Sequence, residues 1–271
     1  QFNVIAMSLC FFSIYLYHYY PRSRYWAYFL FSMSIQLKLF PAIFVVMFIK
    51  DWTDWKNNLK RVCVMAICNF LAFFVLGLKV FLDFLKEVQK HSVVPEVWIG
   101  NHSIRSFVTF VLPTLIKKFK LHDWAWVNQH SGSVQLTLLA FVAICIVLLI
   151  FQAYRLKLTG INPYLLLACT IGALLIPSVS HDYKLSILTA PVVLVFSDDS
   201  FSKRIGTRWR LIFILSSCLL SFAYSSTLFS YTHKSLILAN NLPGLIVMLG
   251  VITVLSLGVK SNVEPKFLDI Q

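Results

Sequence analysis

Basic side chains inside or between apolar runs are the residues of this sequence best suited to chemistry. Lys38 lies in the run SIQLKLFP (residues 34–41) and is the one charged residue within positions 25–49. A lysine at membrane depth is costly unless it faces a polar cavity or a partner, so its position predicts a functional role. The alternative is that Lys38 extends from a helix end to a lipid headgroup.

Two polar segments could supply partners for Lys38. The segment SVSHDYK (residues 178–184) carries His181, Asp182 and Lys184, and the segment GNHSIR (residues 100–105) ends in Arg105. Arg binds phosphate as a bidentate fork and Lys as a point charge, and a water-excluded cavity strengthens both contacts. Lys38, Arg105, His181 and Lys184 could therefore form a site for a lipid-linked phosphate. The alternatives are an ordinary polar turn at 178–184 and attraction to anionic headgroups, which applies most to Lys117, Lys118 and Lys120.

The composition predicts that these residues are positioned by membrane helices. Of the 271 residues, 58% are apolar and 13% are charged, whereas soluble domains carry about 25% charged residues. We predict an all-α, polytopic transmembrane helical bundle of about eight membrane segments. The net charge of +13 fits the positive-inside bias, and no basic helix or stacking motif indicates nucleic acid. Apolar runs occur at 3–19, 25–49, 62–79, 133–152, 162–178, 185–197, 211–230 and 243–258.

The basic loops predict the orientation of these segments. The loops 21–24, 50–61, 155–157 and 203–210 are short and basic, which places them on the cytoplasmic side. The number of membrane crossings then places all four basic loops on one side only if the segment 25–49 enters and leaves the membrane on the same side. It would do so as a V of two short helices with its apex at 38–41. Pro41 supplies the break, because it lacks an N–H and disfavours helix in the preceding residue. The alternative is a single tilted span with a kink.

We predict one transmembrane domain over 1–271. The same count of membrane crossings places the segments 80–132, 179–184 and 231–242 on the outer side. The first of these is predicted to carry an amphipathic helix that lies in the membrane interface. The histidines and cysteines lack metal-ligand spacing, and there is no Gly-rich phosphate loop, nucleophile elbow or nucleotide fingerprint. The sequence therefore predicts no metal and no other cofactor.

The order of motifs resembles the GT-C class of membrane glycosyltransferases, in the family of polyprenyl-phosphate-mannose-dependent mannosyltransferases. That family typically shows Gly-Gln-x-Asn at a span start, Lys-(Leu/Phe/Tyr)-x-Pro at an apex, Gly-Asn-Gln-Ser in an outer loop and a late loop with His. The corresponding stretches here are QFN (1–3), KLFP (38–41), GNHS (100–103) and HDY (181–183). His102 stands where Gln is usual.

The resemblance implies transfer of a hexose, mannose-like, from a polyprenyl phosphate donor to a lipid or glycan acceptor. The expected location is the periplasmic face of a bacterial inner membrane. By resemblance, the general-base Asp would lie upstream of residue 1, so no catalytic residue is assigned here. The predicted substrate-binding residues are Lys38, Asn101, Ser103, Arg105, His181 and Asp182. The competing functions are a lipid-linked sugar transporter or flippase, and a non-catalytic membrane subunit; the lack of a two-fold hydropathy repeat favours the enzyme.

Overall fold

The computed structural model describes residues 2–93, 100–118, 129–198, 213, 217 and 240–258. This part of the chain is helical and contains two isolated β-bridges but no strand, which confirms the all-α fold class. Its α-helices are α1 (Phe2–Tyr19), α2 (Arg24–Leu37), α3 (Trp55–Ala72), α4 (Leu78–Val93), α5 (Ile104–Ser106), α6 (Leu112–Lys118), α7 (Ser131–Arg155), α8 (Pro163–Leu175), α9 (Thr189–Phe196) and α10 (Leu242–Leu257). A π-helical turn at Phe107–Val111 joins α5 to α6, and 3₁₀ segments occupy Pro21–Ser23, Phe40–Phe48 and Asp182–Leu188.

The segment 25–49 goes across the bundle and back, as the sequence predicts. Ser34 Oγ donates to the Ala6 carbonyl oxygen at 2.8 Å, so α2 runs antiparallel to α1. The ring of His18, at the other end of α1, donates from Nε2 to the Met47 carbonyl oxygen at 2.7 Å. Helix α2 ends at Leu37, next to Lys38 at the apex, and the chain returns along α1. The returning arm is the short 3₁₀ helix Phe40–Phe48, with Pro41 in its first turn.

Three of the four basic loops lie together at one end of the bundle. A bridge between Asp51 and Thr159 joins the loop before α3 to the loop after α7. Tyr17, near the end of α1, accepts a hydrogen bond from Arg61 Nη1 at 3.4 Å. The Arg24 guanidinium lies 5.7 Å from the ring centroid of the same tyrosine. We call this the basic end, comprising the loops 20–24, 49–54 and 156–162; the predicted loop 203–210 lies outside the described residues.

Helix α8 forms the centre of the bundle, and each of its residues is buried. Its start is fixed by the Asn162 side chain, which accepts hydrogen bonds from the backbone N–H groups of Tyr164 and Leu165, with Pro163 at the first helical position. A Cβ placed on Gly172 would come within 2.7 Å of Ile43 Cδ1. A helix that is apolar all round must be enclosed by other elements, and α8 packs against the 3₁₀ segment Phe40–Phe48 and helices α7, α9 and α10.

Within the described ranges, two helices are long and apolar enough to cross a membrane by length and composition, α1 and α7. The predicted spans 162–178, 185–197 and 243–258 correspond to helices α8, α9 and α10 of 13, 8 and 16 residues, fewer than the 20 or so that cross the hydrocarbon region. The predicted span 211–230 lies outside the described residues except for Phe213 and Ser217. Helix α4 has the predicted amphipathic pattern. The rest of the proposed outer segment includes 94–99 and 119–128, which are not described, so its boundaries stay a prediction.

Candidate functional site

Three polar segments meet at the end of the bundle opposite the basic loops. Asn101 and His181 form an isolated antiparallel bridge, and the His102 N–H donates to the Ser180 carbonyl oxygen at 2.8 Å. The third segment precedes α10, where Asn240 Nδ2 donates to the Asn101 carbonyl oxygen at 3.0 Å. We call this the site end, comprising Gly100–Ser103, 178–184 and 240–241.

Asn101 joins the first two segments through its side chain. Its Oδ1 accepts from the backbone N–H of Ser180 at 2.8 Å and from that of Ser103 at 3.2 Å. Its Nδ2 donates to the Ser178 carbonyl oxygen at 3.1 Å. Asn101 is fully buried, where backbone groups left without partners are costly. This amide therefore sets the spacing between the two loops.

His102 and Asp182 form the buried polar centre of the site end. His102 Nε2 lies 2.6 Å from Asp182 Oδ1, and the two side chains are 0% and 5% exposed. The other ring nitrogen, Nδ1, lies 3.1 Å from the backbone nitrogen of Asn241. An N–H group can only donate, so Nδ1 is the acceptor and we assign the ring proton to Nε2, which donates to the carboxylate. His102 thus links all three segments as a neutral ring with one donor and one acceptor.

Ser103 begins helix α5. Its Oγ accepts from the Ser106 N–H at 3.1 Å, as an N-cap, and donates to the Ser178 carbonyl oxygen at 3.0 Å. Arg105 follows on the same helix and is partly exposed. Its guanidinium has no hydrogen-bond or ion-pair partner among the residues that the structure describes.

Asn3, at the start of α1, donates from Nδ2 to the Tyr183 hydroxyl at 2.9 Å, which brings the first of the four sequence motifs to the same end.

Lys184 connects this network to the apex of the V. Its ammonium donates to the Val179 carbonyl oxygen at 2.6 Å and lies 5.1 Å from the centroid of the Phe40 ring. Although Lys184 is 6% exposed, no carboxylate in the described part of the chain pairs with it. Burial, together with the nearby charge of Lys38, lowers the pKa of Lys184 to about 8. Lys38 itself is exposed at the apex.

The arrangement is suited to binding an anion. Two ammonium groups lie close enough for one to lower the pKa of the other, and neither forms an ion pair with a described residue. Asp182, the carboxylate nearest to Lys184 in sequence, accepts from His102 instead. No group of three His, Cys, Asp or Glu side chains in the described ranges could hold a metal ion.

The structure brings most of the predicted site residues together. Asn101, Ser103, His181 and Asp182 lie at the site end, and Lys38 lies beside it at the apex of the V. The polar atoms of Asn101, Ser103 and Asp182 make hydrogen bonds within the protein. Substrate contact by each of the six predicted substrate-binding residues, Arg105 included, stays a prediction.

Sequence reasoning missed two residues that complete the site end, Asn240 and Asn241. A signal was present, because Asn-Asn-Leu-Pro before an apolar run is typical of a helix start. The sequence did not indicate that this helix start would contact residues 101 and 102.

Comparison with known proteins assigns the chain to a family. The profile of glycosyltransferase family 87 matches residues 1–180, which includes α1, the V and the loop that contains Asn101 and His102. No curated protein matches the chain significantly. No solved structure does so either. The match covers about two thirds of the sequence and stops just before His181. The chain belongs to glycosyltransferase family 87, a family of membrane glycosyltransferases of the GT-C type.

Proposed function

We propose that this membrane glycosyltransferase moves a hexose, mannose-like, from a polyprenyl phosphate donor to a lipid or glycan acceptor. Family membership supports glycosyl transfer at a membrane. The class of donor is supported by the site end, which we assign to the periplasmic face of a bacterial inner membrane because the basic loops lie at the opposite end.

The observation that carries the proposal is the pair of lysines at the apex. Lys184 is buried against Phe40 without a carboxylate partner among the described residues, and Lys38 adds a second positive charge. Burial and, to a smaller extent, the like charge of Lys38 both disfavour the ammonium form of Lys184 and lower its pKa. A phosphate group bound between them would remove this cost. A polyprenyl phosphate sugar presents such a group at the membrane surface.

The same pair can assist the reaction. When the sugar leaves its phosphate, negative charge develops on the phosphate oxygens, and ammonium groups fixed nearby stabilise that charge. The ring of His102 and the carboxylate of Asp182 hold the 178–184 segment, and with it Lys184, in place. The acceptor hydroxyl also needs a base, a role that we assign to none of the described site residues.

The test is transfer by the full-length protein in lipid nanodiscs, with polyprenyl phosphate mannose as donor. Wild type is compared with Lys38→Ala, His181→Ala and Lys184→Met, and with Lys56→Ala as a control that removes an exposed charge at the start of α3. We expect transfer by wild type and the control, and a loss of at least about tenfold in the Lys38 and Lys184 variants, or about 1.4 kcal/mol of barrier.

Each other outcome has a distinct meaning. Donor binding without transfer by wild type would favour a transporter over the enzyme. Full activity in both lysine variants would leave the family assignment standing and refute the proposed phosphate site. Loss in the Lys56 control would show that the assay reports general charge at the membrane rather than this site.

A further inference from the structure

A groove lies at the basic end of the bundle, away from the proposed donor site. It has a volume of about 530 Å³ and lies between α2 and α3, within the roughly 300–1,000 Å³ typical of small-molecule sites. The two helices run in the same direction and are joined near their far ends, where Asn69 Nδ2 donates to Ser32 Oγ at 3.1 Å and Gln36 Nε2 donates to the Asn69 carbonyl oxygen at 3.1 Å. The groove is therefore open along the part of both helices that approaches the basic end.

The lining changes from polar to apolar along the groove. Lys60 and Arg61 lie in the second turn of α3, with Tyr25 from the first turn of α2. Deeper along the two helices the lining is mainly apolar, with Phe29, Val64, Met65 and Cys68 beside the hydroxyl of Ser32. Such a gradient matches a molecule with a charged head and a hydrocarbon tail.

The polar end of the groove carries an excess of positive charge. Neither Lys60 nor Arg61 forms an ion pair with a described residue, and the hydrogen bonds of Arg61 to Tyr17 and Asn58 are both 3.4 Å long. Arg24 adds a third cation on the ring of Tyr17, and its buried Nε has no hydrogen-bond partner. Among the residues that the structure describes, no acidic one lines the groove.

We infer that this groove binds an anionic phospholipid of the leaflet that faces the basic end. The phosphate would lie between Lys60 and Arg61, where a guanidinium fork and an ammonium are available to it. An acyl chain would cover the apolar stretch from Phe29 to Cys68. Basic pockets between membrane helices have this chemistry of headgroup binding. The site is separate from the sugar donor, since it lies at the opposite end of α2 from Lys38.

The test uses photoactivatable lipids, so it does not depend on transfer activity. The full-length protein is placed in vesicles of phosphatidylcholine with a small fraction of phosphatidylglycerol that carries an acyl-chain diazirine. Crosslinked peptides are then mapped after digestion. We expect labelling of the peptides that contain Phe29 and Val64 to Cys68, and about fivefold less labelling for each cation removed in Lys60→Gln and Arg61→Gln. Lys56→Gln, which loses an equal charge on the same helix outside the groove, should label like wild type.

Two results would overturn the inference. Equal labelling by photoactivatable phosphatidylcholine would show that the groove has only general acyl contact. Unchanged labelling in Lys60→Gln would exclude headgroup recognition, and because this side chain is exposed the substitution should leave the fold intact. Arg61→Lys serves where Arg61→Gln fails to fold, and it should keep at least part of the labelling because the charge remains.

Discussion

The protonation of Lys184 provides the sharpest test of the proposed phosphate site. Its pKa is lowered from about 10.5 to about 8 by burial and by the charge of Lys38. With this value, roughly 90% of the side chain is charged at pH 7 and roughly 10% at pH 9. If the charged form binds the donor phosphate, kcat/KM for the donor should fall about tenfold between these pH values.

The direction of the shift gives two further expectations. A bound phosphate favours the ammonium, so the alkaline limb of kcat should lie at higher pH than that of kcat/KM, which reports the free enzyme. Lys38→Met removes a charge that lowers the pKa of Lys184, so the limb of kcat/KM should move to higher pH. Lys184→Met should have low activity without this alkaline limb.

The assay is the initial rate of transfer from polyprenyl phosphate mannose in nanodiscs between pH 6 and pH 10, at donor concentrations well below and well above KM. The same alkaline limb in Lys184→Met would refute the assignment, because another group would then be titrating. A limb that moves to lower pH in Lys38→Met would contradict the electrostatic reasoning. Each variant is first checked for retention of its thermal midpoint at pH 7.

Three predictions concern the packing of the site and the bundle. His102→Gln should keep the thermal midpoint close to that of wild type, because an amide also offers a donor and an acceptor. His102→Ala should cost about 1–3 kcal/mol by leaving the buried carboxylate without its donor, and equal midpoints for the two variants would contradict this. Asn101→Ala should speed hydrogen exchange in the segment that contains Ser180, because the Ser180 N–H loses its acceptor. Asn101→Asp keeps an acceptor oxygen at this position and serves as the control. Equal exchange rates in the Ala and Asp variants would disprove the role of the side chain. Gly172→Leu should destabilise the bundle by about 1–3 kcal/mol through overpacking against Ile43. Gly172→Ala should be tolerated because the Ile43 methyl can rotate away. A thermal midpoint for the Leu variant equal to that of wild type would refute this contact.

Local signals were sufficient for much of the architecture. The combination of one lysine and one proline in the 25–49 stretch predicted a turn at its apex, and the structure turns there. Short basic loops predicted that the end of α1, the start of α3 and the end of α7 would share one side, and the described loops do so. These predictions succeeded because backbone restrictions and the cost of burying charge act on a residue whatever its distant neighbours are.

Partner choice within the site could not be predicted in the same way. His102 and Asp182 are 80 positions apart, and nothing near either residue indicates that the two side chains are bonded. Their contact depends on how the bridge between 101 and 181 aligns two loops, and on the helix start at 241 that fixes the histidine proton.

The sequence by itself therefore determined the helical class from composition. The order of the basic loops along the chain determined the V and the separation of a basic end from a polar end. Only the tertiary structure decided that Lys184 would be buried on Phe40 beside Lys38, and that α2 and α3 would leave a groove beside Arg61. Both features arise where segments distant in sequence pack together, and the packing determines which charges meet and which remain unpaired.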